Sequence, residues 1–187
     1  MSGTLRIYVK EPNPERKHTM TDYQRITHEF DPVFNNESKI LILGTLPSVK
    51  SREQHFYYGH PQNRFWKVLA AITKEAVPSS ISEKKELLLT HHIAIWDVIK
   101  SCDIIGSSDS SIRNVVPADI NLLLQNSNIT AIFGNGAKAC ELYEKYTLAN
   151  TGCPIHKLPS TSPANAAWSL EKLTGYWNQS LAPFLKK

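Results

Sequence analysis

Several stretches of this sequence combine residue types and spacings that could do chemistry. Gly44-Thr45-Leu46-Pro47-Ser48 ends an apolar run in glycine, where turn amides and the Thr45 and Ser48 hydroxyls could meet a ligand. By itself it also reads as an ordinary strand-ending turn. The densest string is Phe56-Tyr57-Tyr58-Gly59-His60-Pro61-Gln62-Asn63-Arg64-Phe65-Trp66. Its aromatics supply flat faces for stacking bases, and His60 and Arg64 can approach phosphates. Phe65 and Trp66 suit a core, whereas Tyr57 and Tyr58 precede a helix in a loop, where neighbours do not both point inward. Asp97 ends another apolar run; a carboxylate there must find donors, stay hydrated or cap a turn. Leu158-Pro159-Ser160-Thr161-Ser162-Pro163-Ala164-Asn165 is a stiff loop whose Ser160, Thr161, Ser162 and Asn165 could pin a phosphate, or a plain Pro-rich connection.

Other features point away from chemistry. Gly134-Asn135-Gly136 lacks the third glycine of a dinucleotide fingerprint, Ala139 standing there, and reads as a tight strand-to-helix turn. His91 and His92 are adjacent, not four apart, and suit a helix end better than a metal. Cys102, Cys140 and Cys153 are widely spaced without C-x-x-C, which argues against a disulfide framework, zinc or an iron–sulfur cluster. No cofactor or metal is expected.

These residues need a scaffold. The chain has 187 residues, 41% of them hydrophobic, enough for one domain with a sizeable core. No apolar stretch approaches the ~20 residues of a membrane span, and the polar N-terminus lacks a signal-peptide core. A soluble, cytoplasmic, monomeric protein is the expectation. The net charge is only +4, but Lys50, Arg52, Arg64 and Lys67 against Glu53 form a local basic stretch suited to phosphates or to a solvated face.

Residues 1–30 are polar with scattered prolines and read as an arm, partly disordered, ahead of a single domain over 31–187. Ile40–Gly44 reads as a strand buried on both faces. Ile93–Trp96, Ile129–Phe133 and, more weakly, Pro154–Leu158 are similar runs. Helices fall between them: one opened by Pro61, one behind the capping box Ser80–Glu83, one capped by Asp119, then Ala137–Tyr146, and a last stripe of Leu170, Leu173, Trp177 and Leu181. Alternating strands and helices predict an α/β domain with a parallel sheet, whose ligands sit at the carboxyl ends of the strands. The suspect strings all fall there.

Gly44–Ser48, Tyr58–Val68 and Leu158–Asn165 together resemble the uracil-DNA glycosylase superfamily, and most closely its hypoxanthine-DNA (deoxyinosine) glycosylase branch, family 6. The resemblance spans Asp31 to Lys187. It implies a three-layer α/β/α sandwich around a four-stranded parallel sheet, and metal-free excision of deaminated bases from DNA. Mismatch-type uracil glycosylases carry a water-activating asparagine where this chain has Leu46, which can neither orient nor polarise water. Several branches read uracil with an asparagine where the strand ends place Asp97. In the branch resembled here, the asparagine of His-Pro-x-Asn-Arg-Phe-Trp is catalytic; here it is Asn63.

The resemblance therefore implies that Asn63 either holds a water through its amide oxygen or stabilises the leaving base through its NH₂. Tyr58 stacks on the flipped base, Thr45 and Leu46 line its pocket, and Asp97 reads it. Ser48, His60, Arg64, Ser160, Thr161, Ser162 and Asn165 hold the strand. Neither Lys50 nor Lys67 takes a catalytic position in the motifs, so a monofunctional enzyme is expected. A noncatalytic binder of damaged or single-stranded DNA and a hydrolase of free nucleosides are the competing readings.

Overall fold

The computed structural model describes residues 22–106 and 108–185. In chain order the strands are β1 (Gln24–Thr27), β2 (Ile40–Gly44), β3 (Ile93–Asp97), β4 (Ile99–Ile104), β5 (Arg113–Pro117), β6 (Ala131–Asn135) and β7 (Ile155–Leu158). The helices are α1 (Val49–Glu53), α2 (Phe65–Thr73), α3 (Ile81–Thr90), α4 (Ile120–Gln125), α5 (Ala137–Tyr146), α6 (Leu148–Thr151) and α7 (Leu170–Leu185). Among the described residues no helix is long and apolar enough to cross a membrane.

The parallel sheet runs β3-β2-β6-β7, with Gly44 paired to Asp97 and Asn135 to Leu158. Every residue of β2 and β3 is buried, so both faces of the sheet are covered, as their unbroken apolar runs require. α3 packs on β3, α5 on β6 and β7, and α7 on α2. This is the expected α/β/α sandwich. α5 has the expected bounds, and the Ser80–Glu83 capping box forms on both sides, closing the first turn of α3.

The structure departs from the sequence reading at the edges of these elements. α2 starts at Phe65, not beside Pro61, and the Asn63 side chain accepts the Phe65 amide. Asp119 precedes α4 without a side-chain cap bond, and Leu170 is exposed while Leu173, Trp177 and Leu181 are buried. Gly134 and Asn135 belong to β6 rather than to a turn.

A larger departure is a second, antiparallel sheet, β1-β4-β5, that the sequence reading did not contain. Where Asp97 could have capped a turn, the chain instead enters β4, which contains Lys100–Asp103. β1 comes from the segment read as an arm: Gln24–Thr27 pairs with Ser101–Ile104, and His28 beyond it is buried. Residues 1–21 of that arm lie outside the described residues. These strands escaped notice because an exposed, polar strand such as β1 carries no apolar alternation.

Trp177 links the core to the last loop. It is fully buried, sits edge-on to Phe65 at 5.9 Å, and donates Nε1–H to the Pro159 carbonyl at 3.0 Å. Trp177→Ala is expected to cost about 3–5 kcal/mol, and Trp177→Phe about 1–3 kcal/mol from the orphaned carbonyl alone. Urea midpoints at unchanged m-value would check both.

Candidate active site

The carboxyl ends of β2, β3 and β6 open into one cleft of about 340 Å³. Gly44, Thr45, Leu46, Ser48, Tyr58, Asn63, Asp97, Ser160 and Ser162 all line it, joined by Asn135. Residues far apart in the chain thus converge where an α/β sheet offers its ligand site.

Asp97 forms the floor. It is 4% exposed, and its Oδ2 lies 3.0 Å from Nε2 of the equally buried His28. Gly44 has a definite job beside it: an ideal Cβ there would overlap Asp97 Oδ1. The Val98 and Ile99 amides return to the Gly44 and Thr45 carbonyls, holding the first-motif turn against the start of β4.

Tyr57 and Tyr58 both turn into the protein, contrary to expectation, because Tyr58 adopts a left-handed backbone (φ 52°). Tyr57 donates its hydroxyl to the Asp31 carbonyl at 2.9 Å. The Tyr58 ring stacks on Phe65 at 3.7 Å and 17°, so one face is already covered. Its buried hydroxyl makes no full hydrogen bond among the described residues, although the Asn135 side chain lies near. Burial, and then the charge of Asp97, push the Tyr58 hydroxyl far up, so it stays protonated.

Asn63 is oriented by its partners. The Phe65 amide can only donate, so the atom facing it at 3.0 Å is the Asn63 carbonyl oxygen, which also accepts the Thr161 hydroxyl at 2.9 Å. Both lone pairs of Oδ1 are then occupied. The Nδ2 donors have no bond among the described residues and are left to the cleft that Asn63 lines. Thr161 Oγ1 in turn accepts Asn135 Nδ2 at 2.9 Å, and Asn135 Oδ1 accepts the Thr161 amide at 2.9 Å.

Three residues expected to meet DNA phosphates are spent inside the protein. Arg64 donates to the carbonyls of Thr161 (3.2 Å), Ser162 (2.6 Å), Asn165 (3.1 Å) and Trp168, so its guanidinium shapes the 160–168 segment from within. Thr161 is fully buried, and Asn165 Nδ2 donates to the Ser160 carbonyl at 2.9 Å. A guanidinium within reach of four loop carbonyls makes charge-assisted hydrogen bonds to all of them. Ser160 and Ser162 accept backbone amides of their own loop, which leaves their hydroxyl protons available. Ser48 is exposed and caps α1 through Ser51, while the partly exposed His60 accepts the Gln62 amide at Nδ1, outside the cleft lining. Gly136 (φ 106°) lets the loop close on β6, since a Cβ there would stand 3.1 Å from Ser160 Cβ.

Sequence reasoning missed two residues. Asn135 was hidden in a glycine turn, although its position at a strand end was a usable signal. His28 carried no local signal at all.

A family model described as the uracil DNA glycosylase superfamily matches residues 32–181. A hypoxanthine DNA glycosylase of Methanosarcina barkeri is 34% identical over 153 residues, covering 81% of this chain and 95% of that protein. One of Methanosarcina acetivorans is 37% identical over 146 residues, covering 77% and 91%. The solution NMR structure of a candidate uracil DNA glycosylase from Methanosarcina acetivorans superposes with a TM-score of 0.71 at 32% identity, covering 83% of this chain and 96% of that one. A cleft at the strand ends, motif strings that converge on it and a match over most of the chain lead to one conclusion: this protein belongs to the uracil DNA glycosylase superfamily.

Proposed function

We propose that the chain is a monofunctional DNA glycosylase that excises hypoxanthine from deoxyinosine sites, with uracil and xanthine as lesser substrates. The observation that carries the reading is the pairing, in one cleft, of an acceptor and a donor: Asp97 Oδ1 and the unspent Nδ2 of Asn63. The names of the two Methanosarcina relatives point to the same substrate.

The nucleotide leaves the duplex, and its base enters the cleft against Tyr58. Asp97 accepts the N1–H of hypoxanthine. Adenine has a bare nitrogen at N1, which a carboxylate repels. Water attacks C1′, the C1′–N9 electron pair departs with the purine, the water surrenders a proton, and a proton reaches the leaving base. Asn63 Nδ2–H stabilises the negative charge growing on that base. Its oxygen, with both lone pairs engaged, is not the holder of the water. Thr45 and Leu46 wall the pocket. With Arg64, Thr161 and Asn165 committed internally, the strand is left to Ser48, His60, Ser160 and Ser162.

The direct test is a deoxyinosine oligonucleotide incubated with enzyme and then heated in alkali. Breaks that appear only after alkali are expected. Binding without breaks would mean a noncatalytic module, activity only on free inosine a nucleoside hydrolase, and breaks without alkali a lyase.

Asn63→Ala should slow single-turnover excision by about 10² or more, the scale of a lost transition-state donor. Asn63→Asp keeps the acceptor for Phe65 and Thr161 but turns the donor into an oxygen, so it should be equally slow; recovery in Asn63→Asp would mean that Asn63 acts as an acceptor for water.

Tyr58→Phe should leave excision within a few fold, because the ring survives and the lost hydroxyl makes no full hydrogen bond among the described residues. Tyr58→Ala should weaken binding to lesion-containing DNA by about 1–3 kcal/mol in a titration.

Asp97 is proposed to choose the base. In hypoxanthine one carbonyl flanks the ring N–H, and in uracil two do, so an acceptor-only carboxylate penalises uracil more. Asp97→Asn should shift the hypoxanthine-to-uracil rate ratio toward uracil by about tenfold, and Asp97→Ala should lower both rates. An unchanged ratio with reduced stability would reduce Asp97 to a structural residue.

A further inference from the structure

The part of the chain with least apparent chemistry supplies the Asp97 carboxylate with its hydrogen-bond partner. His28 lies just past β1, held by its amide on the Lys100 carbonyl (2.8 Å) and by Lys100 Nζ on its own carbonyl (3.4 Å). Its ring is walled by Phe30 at 4.4 Å and Tyr57 at 5.7 Å, and the side chain is 1% exposed. Burying an imidazole beneath a cleft is costly unless its polar atoms are used. One is used, Nε2 on Asp97 Oδ2 at 3.0 Å; the other, Nδ1, is buried with no partner among the described residues. A proton on Nδ1 would be an unpaired buried donor, so the ring proton belongs on Nε2 and is given to the carboxylate.

We propose that His28 is a positioning residue that sets base selectivity through Asp97, an inference that rests on the base-reading role given to Asp97 above. By binding Oδ2, His28 fixes the carboxylate rotamer and leaves Oδ1, beside Gly44, as the single acceptor turned to the cleft. One oxygen aligned with a ring N–H accepts hypoxanthine. A carboxylate without that tether can swing either oxygen onto a neighbouring carbonyl position, and the discrimination against uracil fades. The second sheet thereby has a role beyond covering the core, since β1 pairing on β4 is what delivers His28.

The test compares single-turnover excision of hypoxanthine and uracil from otherwise identical oligonucleotides by the full-length protein and its variants. His28→Phe keeps an aromatic ring against Phe30 and Tyr57 but has no donor. It should lower the hypoxanthine-to-uracil ratio about tenfold or more, the effect of losing a hydrogen bond to a charged group. His28→Gln, whose Nε2 reaches the place of the imidazole Nε2, should restore most of the ratio. Adding His28→Phe to Asp97→Asn should give no further shift, because the two residues act as one unit. Equal slowing of both bases by His28→Phe, no rescue by Gln, or ratio shifts that multiply in the double variant would each overturn the proposal.

If His28→Phe does not fold, the imidazole nitrogens of the wild-type protein decide by ¹⁵N NMR. A single Nε2-protonated tautomer that is perturbed in Asp97→Asn supports the proposal, and an Nδ1-protonated ring overturns it. The two readings fail separately. An unchanged ratio in Asp97→Asn removes the base-reading role and this inference with it, whereas a shift in Asp97→Asn with none in His28→Phe removes only His28.

Discussion

The buried hydroxyl of Thr161 holds the site together. It accepts from Asn135 at the end of β6 and donates to Asn63 ahead of α2, and so couples a sheet end, a helix start and the last loop in one chain of hydrogen bonds. A hydroxyl does both through one atom, whereas an amide must use its oxygen and its nitrogen separately and a charged group offers only one of the two roles. Because Thr161 is fully buried, its hydroxyl cannot turn to water, and in that low dielectric each bond fixes the next. The orientation of Asn63 follows from this chain, with its donor side left to the cleft.

Arg64 extends the same logic to the loop. Its neighbour Asn63 faces the cleft, while Arg64 faces inward and gathers the carbonyls of Thr161, Ser162, Asn165 and Trp168. Backbone carbonyls of a tight Pro-rich turn have no ladder to join and would otherwise depend on solvent. One guanidinium satisfies several of them in a fixed fork, which makes the loop stiff enough to keep the hydroxyls of Ser160 and Ser162 in place. The adjacent residues Asn63 and Arg64 thus divide the work between chemistry and scaffold.

On the other side of the cleft the two sheets meet at Asp97. Gly44 makes room for the carboxylate, β3 carries it, and the segment after β1 brings the histidine. Leu46, standing where mismatch-type uracil glycosylases carry an asparagine, adds neither donor nor acceptor to this arrangement. In the reading proposed here the polar work of the pocket moves to Asn63 and Asp97, and Leu46 contributes an apolar wall.

Much of this was legible in the residues themselves. The unbroken apolar runs of β2 and β3, the capping box of α3 and the stripe of Leu173, Trp177 and Leu181 are local patterns whose burial follows from their own periodicity. The motif strings marked the cleft for the same reason, each lying at a strand end. Which polar groups face the cleft was not legible. Arg64, Thr161 and Asn165 are of types that suit phosphates, and only the folded loop reveals carbonyls within their reach. His28 is separated from Asp97 by 69 positions, in a segment whose exposed strand has no apolar period to announce it. Apolar burial is dictated by a residue and its near neighbours, whereas a hydrogen-bond partner is whatever distant group the sheet order brings alongside, so the sequence by itself determined the layers and the cleft, and the tertiary structure decided which side chains are left free to act there.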